Sequence, residues 1–201
     1  MQPGPLPPAP YLLARWTIWL AMAGFGIGIV LLVWMRADPI EFDSDADDIA
    51  GAIFSGLVTY PPILVLLAYG AVYYVVSSLW LHRSRKIATA LNSYHPQRLG
   101  AAWVWLGWLV PIVNLWFPYL IVRDIAGATD GGDKGRSAVV AWWWLGIAAW
   151  LLGLPDGAFS VVLSATAGLV GLKYWLVIVN DIANAQQDHV REAERAARRT
   201  A

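Results

Sequence analysis

From Leu12 to Met35 the chain is apolar except at Arg15 and Thr17, long enough to cross the roughly 30 Å of hydrocarbon in a bilayer. Hydrocarbon offers no hydrogen bonds, so the backbone groups of such a stretch must be paired internally, as a helix pairs them. Three more apolar runs follow: Ile53 to Leu81, Ala138 to Leu154, and Ala158 to about Ile182. The expected fold is all-α, a polytopic membrane protein with four transmembrane helices. The first run is not a cleaved signal peptide, because it is too long and ends in Trp-Met-Arg-Ala-Asp rather than at a small-residue cleavage site.

Composition agrees: 58% of the residues are hydrophobic, 14% are charged, and there are 13 tryptophans, a balance too apolar for an ordinary soluble domain. The chain has no cysteine, which excludes disulfides, thiolate nucleophiles and Cys-based metal sites. His82, His95 and His189 lie far apart and match no ligand spacing. No catalytic constellation can be recognised, and no metal, cofactor or nucleic-acid partner is expected. The expected partners are the lipid bilayer and either another membrane protein or a second copy of the chain.

The stretch from Gly100 to Ile125 is apolar but interrupted. Pro111 cannot bond the carbonyl of Gly107, and Pro118 cannot bond that of Asn114. Freed carbonyls are costly in lipid, so this segment is expected to be a Pro-broken, re-entrant or interfacial helix sheltered by its neighbours. The alternative is a fifth transmembrane helix.

Charge separates the two arrangements. The basic loop with Arg83, Arg85, Lys86 and Arg98 belongs in the cytoplasm by the positive-inside rule. If Gly100 to Ile125 crosses fully, eight Lys/Arg residues lie outside and five inside; if it dips and returns, one lies outside and twelve inside. Re-entry is therefore favoured, with both termini cytoplasmic and the plasma membrane as the location. An internal echo supports it: Ile121-Val122-Arg123-Asp124-Ile125-Ala126 parallels Ile178-Val179-Asn180-Asp181-Ile182-Ala183, and similar helix ends suit the same interface. Trp103, Trp105, Trp108 and Trp116 suit the headgroup level.

The remaining segments read more simply. Residues 1–11 are a Pro-rich flexible cytoplasmic tail, 12–182 the helical membrane domain, and 183–201 a charged cytoplasmic tail at the anionic leaflet. Gly24 and Gly28 form a GxxxG spacing, and Ser160, Ser164 and Gly168 form a second small-residue face. The loop from Arg36 to Ile49 holds six acidic residues, but a calcium loop starting at Asp43 would need glycine and glutamate where Asp48 and Phe54 stand. A solvated acidic outer loop is expected there. Thr129 to Ser137 lacks phosphate-loop spacing and reads as a surface turn.

Trp108, Pro111, Asn114, Leu115 and Pro118, followed by Arg123-Asp124-Ile125, carry a signature of the form W-[FL]-[VI]-P-x-x-N-L-x-x-P with a V-[RV]-[DE]-[IL] ending. In this the chain resembles a family of actinobacterial membrane proteins known as domain of unknown function DUF4328. The resemblance extends from about Leu12 to Ile182 and implies a plasma-membrane location but no activity.

The residues expected at the centre of the molecule are Pro111, Asn114, Pro118, Arg123, Asp124 and Lys173. Lys173 lies about nine residues, or roughly 14 Å of helix rise, from Ile182. Either its stem snorkels to the headgroups, or its three donors satisfy Asn114 and the carbonyls freed at Gly107 and Asn114. The expected role is that of a non-enzymatic interaction or accessory subunit. The alternative is a small transporter or channel component built on the broken helix and a buried lysine.

Overall fold

A computed structural model describes residues 6–37, 61–92, 97–130, 133–154 and 157–200. The described residues form helices joined by short turns and contain no strand. In chain order the helices are α1 (Tyr11–Ala37), α2 (Pro61–Leu91), the single-turn α3 (Trp103–Leu106), α4 (Phe117–Asp130), α5 (Asp133–Leu152) and α6 (Ala158–Thr200). A 3-10 turn, Val113–Leu115, lies between α3 and α4. Three helices are long and apolar enough to cross a membrane, with spans in Tyr11–Leu31, Leu64–Leu91 and Ala158–Arg199; Ser137–Leu152 is a shorter apolar helix. The acidic loop and its calcium reading lie outside the described residues.

Helix boundaries differ from expectation in physically simple ways. α2 is described from Pro61 onward, and the start expected at Ile53 lies outside the described residues. The helix runs ten residues beyond Leu81, because Ser84, Ile87 and Ala88 are buried against other helices. The surface turn expected over Thr129 to Ser137 is mostly helix, since α4 reaches Asp130 and α5 begins at Asp133. Polar residues in a first helical turn, where four N–H groups lack helix partners, resemble a loop in sequence. α6 continues without a break past Ile182 to Thr200, 43 residues in all and about 64 Å long.

The apolar core gathers where α2, α4, α5 and α6 meet. Trp80 and Leu81 of α2, Ile121, Val122 and Ile125 of α4, Val139 of α5, and Ile178, Val179 and Ile182 of α6 are buried together. Trp175 stacks on Trp142 with ring centroids 4.7 Å apart and meets Trp80 edge-on at 5.9 Å. Elsewhere large apolar side chains face outward, including Leu12 at 71% exposure and Phe159 at 76%. A soluble chain would not tolerate so much exposed apolar surface, whereas hydrocarbon covers it at no cost.

The sequence echo is an echo of packing. Ile121, Val122, Ile125 and Ala126 are all buried on α4, and their counterparts Ile178, Val179, Ile182 and Ala183 are all buried on α6. Both tetrads follow the i, i+1, i+4, i+5 spacing of one helix face. The small-residue faces also serve contact. A Cβ at Gly24 would sit 2.7 Å from Cε1 of Tyr69, so α1 and α2 approach closely there, while Gly28 has no neighbour within 4 Å. Ser164 donates to the Ala149 carbonyl at 2.8 Å, joining α6 to α5, and a Cβ at Gly168 would come within 3.0 Å of Phe25.

Candidate functional site

The stretch from Gly100 to Asp130 is broken as expected, though not by two equivalent kinks. After α3 the chain turns through residues 107–112, forms the 3-10 turn, and enters α4 at Phe117. Trp116, at φ −148° and ψ −20°, marks the corner. Pro118 is therefore a helix-start residue, fully buried in the first turn of α4, where its missing N–H costs nothing. Pro111 stands in the turn itself. The carbonyls of Gly107 and Asn114 accept no hydrogen bond from the described residues. Gly107 is required by crowding: a Cβ there would lie 2.6 Å from the Trp103 carbonyl oxygen and 3.3 Å from Cβ of Phe117. Tyr74 of α2 donates to the Trp105 carbonyl at 2.8 Å, fastening the segment to α2.

Between this segment and α5 lies a groove of about 690 Å³. Pro111, Asn114 and Leu115 line one wall, and Trp143, Ile147 and Trp150 the other. A second cavity of about 450 Å³ lies among α1, α2, α5 and α6, walled by Gly24, Tyr69, Gly146 and Trp175 among others. Among the described residues, no Asp, Glu, Lys or Arg lines either space.

The charged residues gather instead around Asp124, whose side chain is 5% exposed. The Arg98 N–H donates to Asp124 Oδ2 at 3.0 Å. Arg98 Nε and Arg123 Nη2 each lie 3.8 Å from Oδ1. Gln97 donates to the Asp124 carbonyl at 3.3 Å, and Arg85 donates to the Leu99 carbonyl. Residues 97–99 are thus folded back onto α2 and α4. Fully buried Gln186 of α6 donates to the Ser84 carbonyl at 2.9 Å and to the Thr129 hydroxyl at 3.3 Å; that hydroxyl donates to the Ile125 carbonyl at 2.8 Å. One polar junction therefore joins α2, α4, α6 and the basic loop.

Of the residues expected at the centre, Arg123 and Asp124 meet at this junction, while Pro111 and Asn114 face the groove. Lys173 does not join them. Its side chain is exposed on α6, and it makes no hydrogen bond to Asn114 or Gly107. The reason is one of placement: α3 and the 3-10 turn approach α2 and α4 but not α6. Among the described residues Lys173 faces outward from α6 and makes none of the contacts the plug would need. Gln97, Ser84, Thr129 and Gln186 were missed. Gln186 was findable, because it continues the buried Ile178, Ile182 stripe by one more turn with a polar residue.

These features define an all-helical chain with helices of membrane-spanning character and a polar junction at one end of its core. The chain belongs to the family described as a domain of unknown function (DUF4328), whose model matches residues 43–173. No curated protein and no solved structure gave a match.

Proposed function

We propose that this is a multi-pass plasma-membrane protein with four crossings and both termini cytoplasmic. Residues 100–125 would dip in and return, and the chain would act as a non-enzymatic interaction or accessory subunit for another membrane protein or a second copy of itself. The supporting observation is the character of its concave surfaces. Both are walled mainly by apolar, aromatic and glycine residues, with Asn114 in the groove and no charged side chain among the described residues, which suits helix or lipid contact better than handling of ions. The transporter alternative drew on a buried lysine, and Lys173 is exposed and lines neither space. Crosslinking in native membranes followed by affinity purification tests this reading. A stoichiometric membrane partner or crosslinked homo-oligomer is expected. Protein purified alone that carries ions or solutes across liposomes would replace this reading with the transporter.

A further inference from the structure

The groove beside the broken segment ends near a surplus of positive charge. Trp143, on its α5 wall, lies 6.4 Å from the ring of Tyr119, and the Arg123 guanidinium lies 5.2 Å above that same ring. Asp124 is the carboxylate beside Arg123, but Arg98 shares it at 3.8 Å and Arg85 lies within its electrostatic reach. Two guanidiniums thus share one carboxylate at 3.8 Å. The Arg123 contact, at 3.8 Å, is also well beyond the roughly 2.7–2.9 Å of a charge-assisted hydrogen bond, and its Nη2 has no hydrogen-bond partner among the described residues. That nitrogen is buried, while the side chain as a whole keeps 17% exposure.

We propose that the groove holds an acyl chain of an anionic phospholipid whose phosphate is read by Arg123. From Trp143 to Trp150 the α5 wall runs about 10 Å, a length of apolar trough suited to part of one chain. Its surroundings are apolar and outward-facing: Ile112 is 71% exposed and Trp150 63%. Charge complementarity selects the occupant. A zwitterionic lipid or a purely apolar partner helix would fill the trough and leave the cationic surplus unanswered, whereas an anionic lipid satisfies both at once.

The test uses the full-length protein in vesicles of phosphatidylcholine with added lipid carrying brominated chains, read by quenching of tryptophan fluorescence. Brominated phosphatidylglycerol should quench at about fivefold lower mole fraction than brominated phosphatidylcholine, the factor expected of one basic residue at a membrane surface. Arg123→Gln should abolish this preference and Arg123→Lys should keep it. Ile147→Phe, which thickens the groove wall, should weaken quenching by the anionic lipid. Equal quenching by the two lipids in the wild type overturns the proposal even if Arg123→Gln does not fold. So does a preference that survives both Arg123→Gln and Ile147→Phe, since it would then arise from the basic surface in general.

Discussion

Asp124 is a carboxylate held almost without water, and its neighbours are arranged so that the chain around it depends on its charge. Without that charge, Arg98 and Arg123 lose the anion between them, and the acceptor of the Arg98 N–H becomes a weaker, neutral one. Asp124→Asn should lower unfolding stability in detergent by about 2 kcal/mol, and residues 97–99 should become the first site of limited proteolysis. At Gly107 the argument is steric. Gly107→Ala forces a methyl against the Trp103 carbonyl and Phe117 and should cost about 1–3 kcal/mol, a loss readable as a lowered thermal midpoint. Lys173 gives the opposite expectation. Since it touches neither Asn114 nor Gly107, Lys173→Met and Asn114→Leu should be additive within about 0.5 kcal/mol, and a coupling well above that would restore the plug.

Among the helices, α6 carries the clearest division of labour. Its residues Ile178, Val179, Ile182, Ala183 and Gln186 are buried, whereas residues 191–199 are exposed throughout. Truncation after Val190 should leave the thermal midpoint nearly unchanged, while Gln186→Ala should lower stability by about 1–3 kcal/mol by leaving the Ser84 carbonyl and Thr129 without their donor. At this scale much was legible in the sequence. Apolar runs announced α1 and α6, two prolines announced the break, and a six-residue echo announced two helix faces that pack alike. The ends were less legible. Ser84 and Gln186 are polar residues 102 positions apart that meet only in three dimensions, so nothing in either neighbourhood marked α2 and α6 as continuing together beyond the apolar runs. For Lys173 the sequence left two readings open, because linear depth along a helix does not say which face a residue occupies.

For the molecule as a whole, arrangement in the membrane is the proposal most open to measurement. The chain has no native cysteine, so single cysteines can be placed at will. Ser84 and Thr129 are poor positions because both are buried, and silence there would not report sidedness. Thr89, Ser137 and Ala196 are exposed. With an impermeant thiol reagent on wall-stripped cells, Ser44→Cys should react, and Thr89→Cys, Ser137→Cys and Ala196→Cys should not. External labelling of Ser137→Cys and Ala196→Cys would instead mean five crossings.

The two unpaired carbonyls of the broken segment also bear on how the protein is made. Of the elements beside the broken segment, α2, which holds Trp105, is translated before it, but α4 and the groove wall on α5 are translated after. When this stretch first leaves the ribosome, part of the surface that shields it from lipid does not yet exist. On the proposed re-entrant arrangement, its packing is complete only once residue 150 has followed. A nascent chain arrested near residue 130 would keep those carbonyls uncovered and present itself to the quality-control proteases of the membrane.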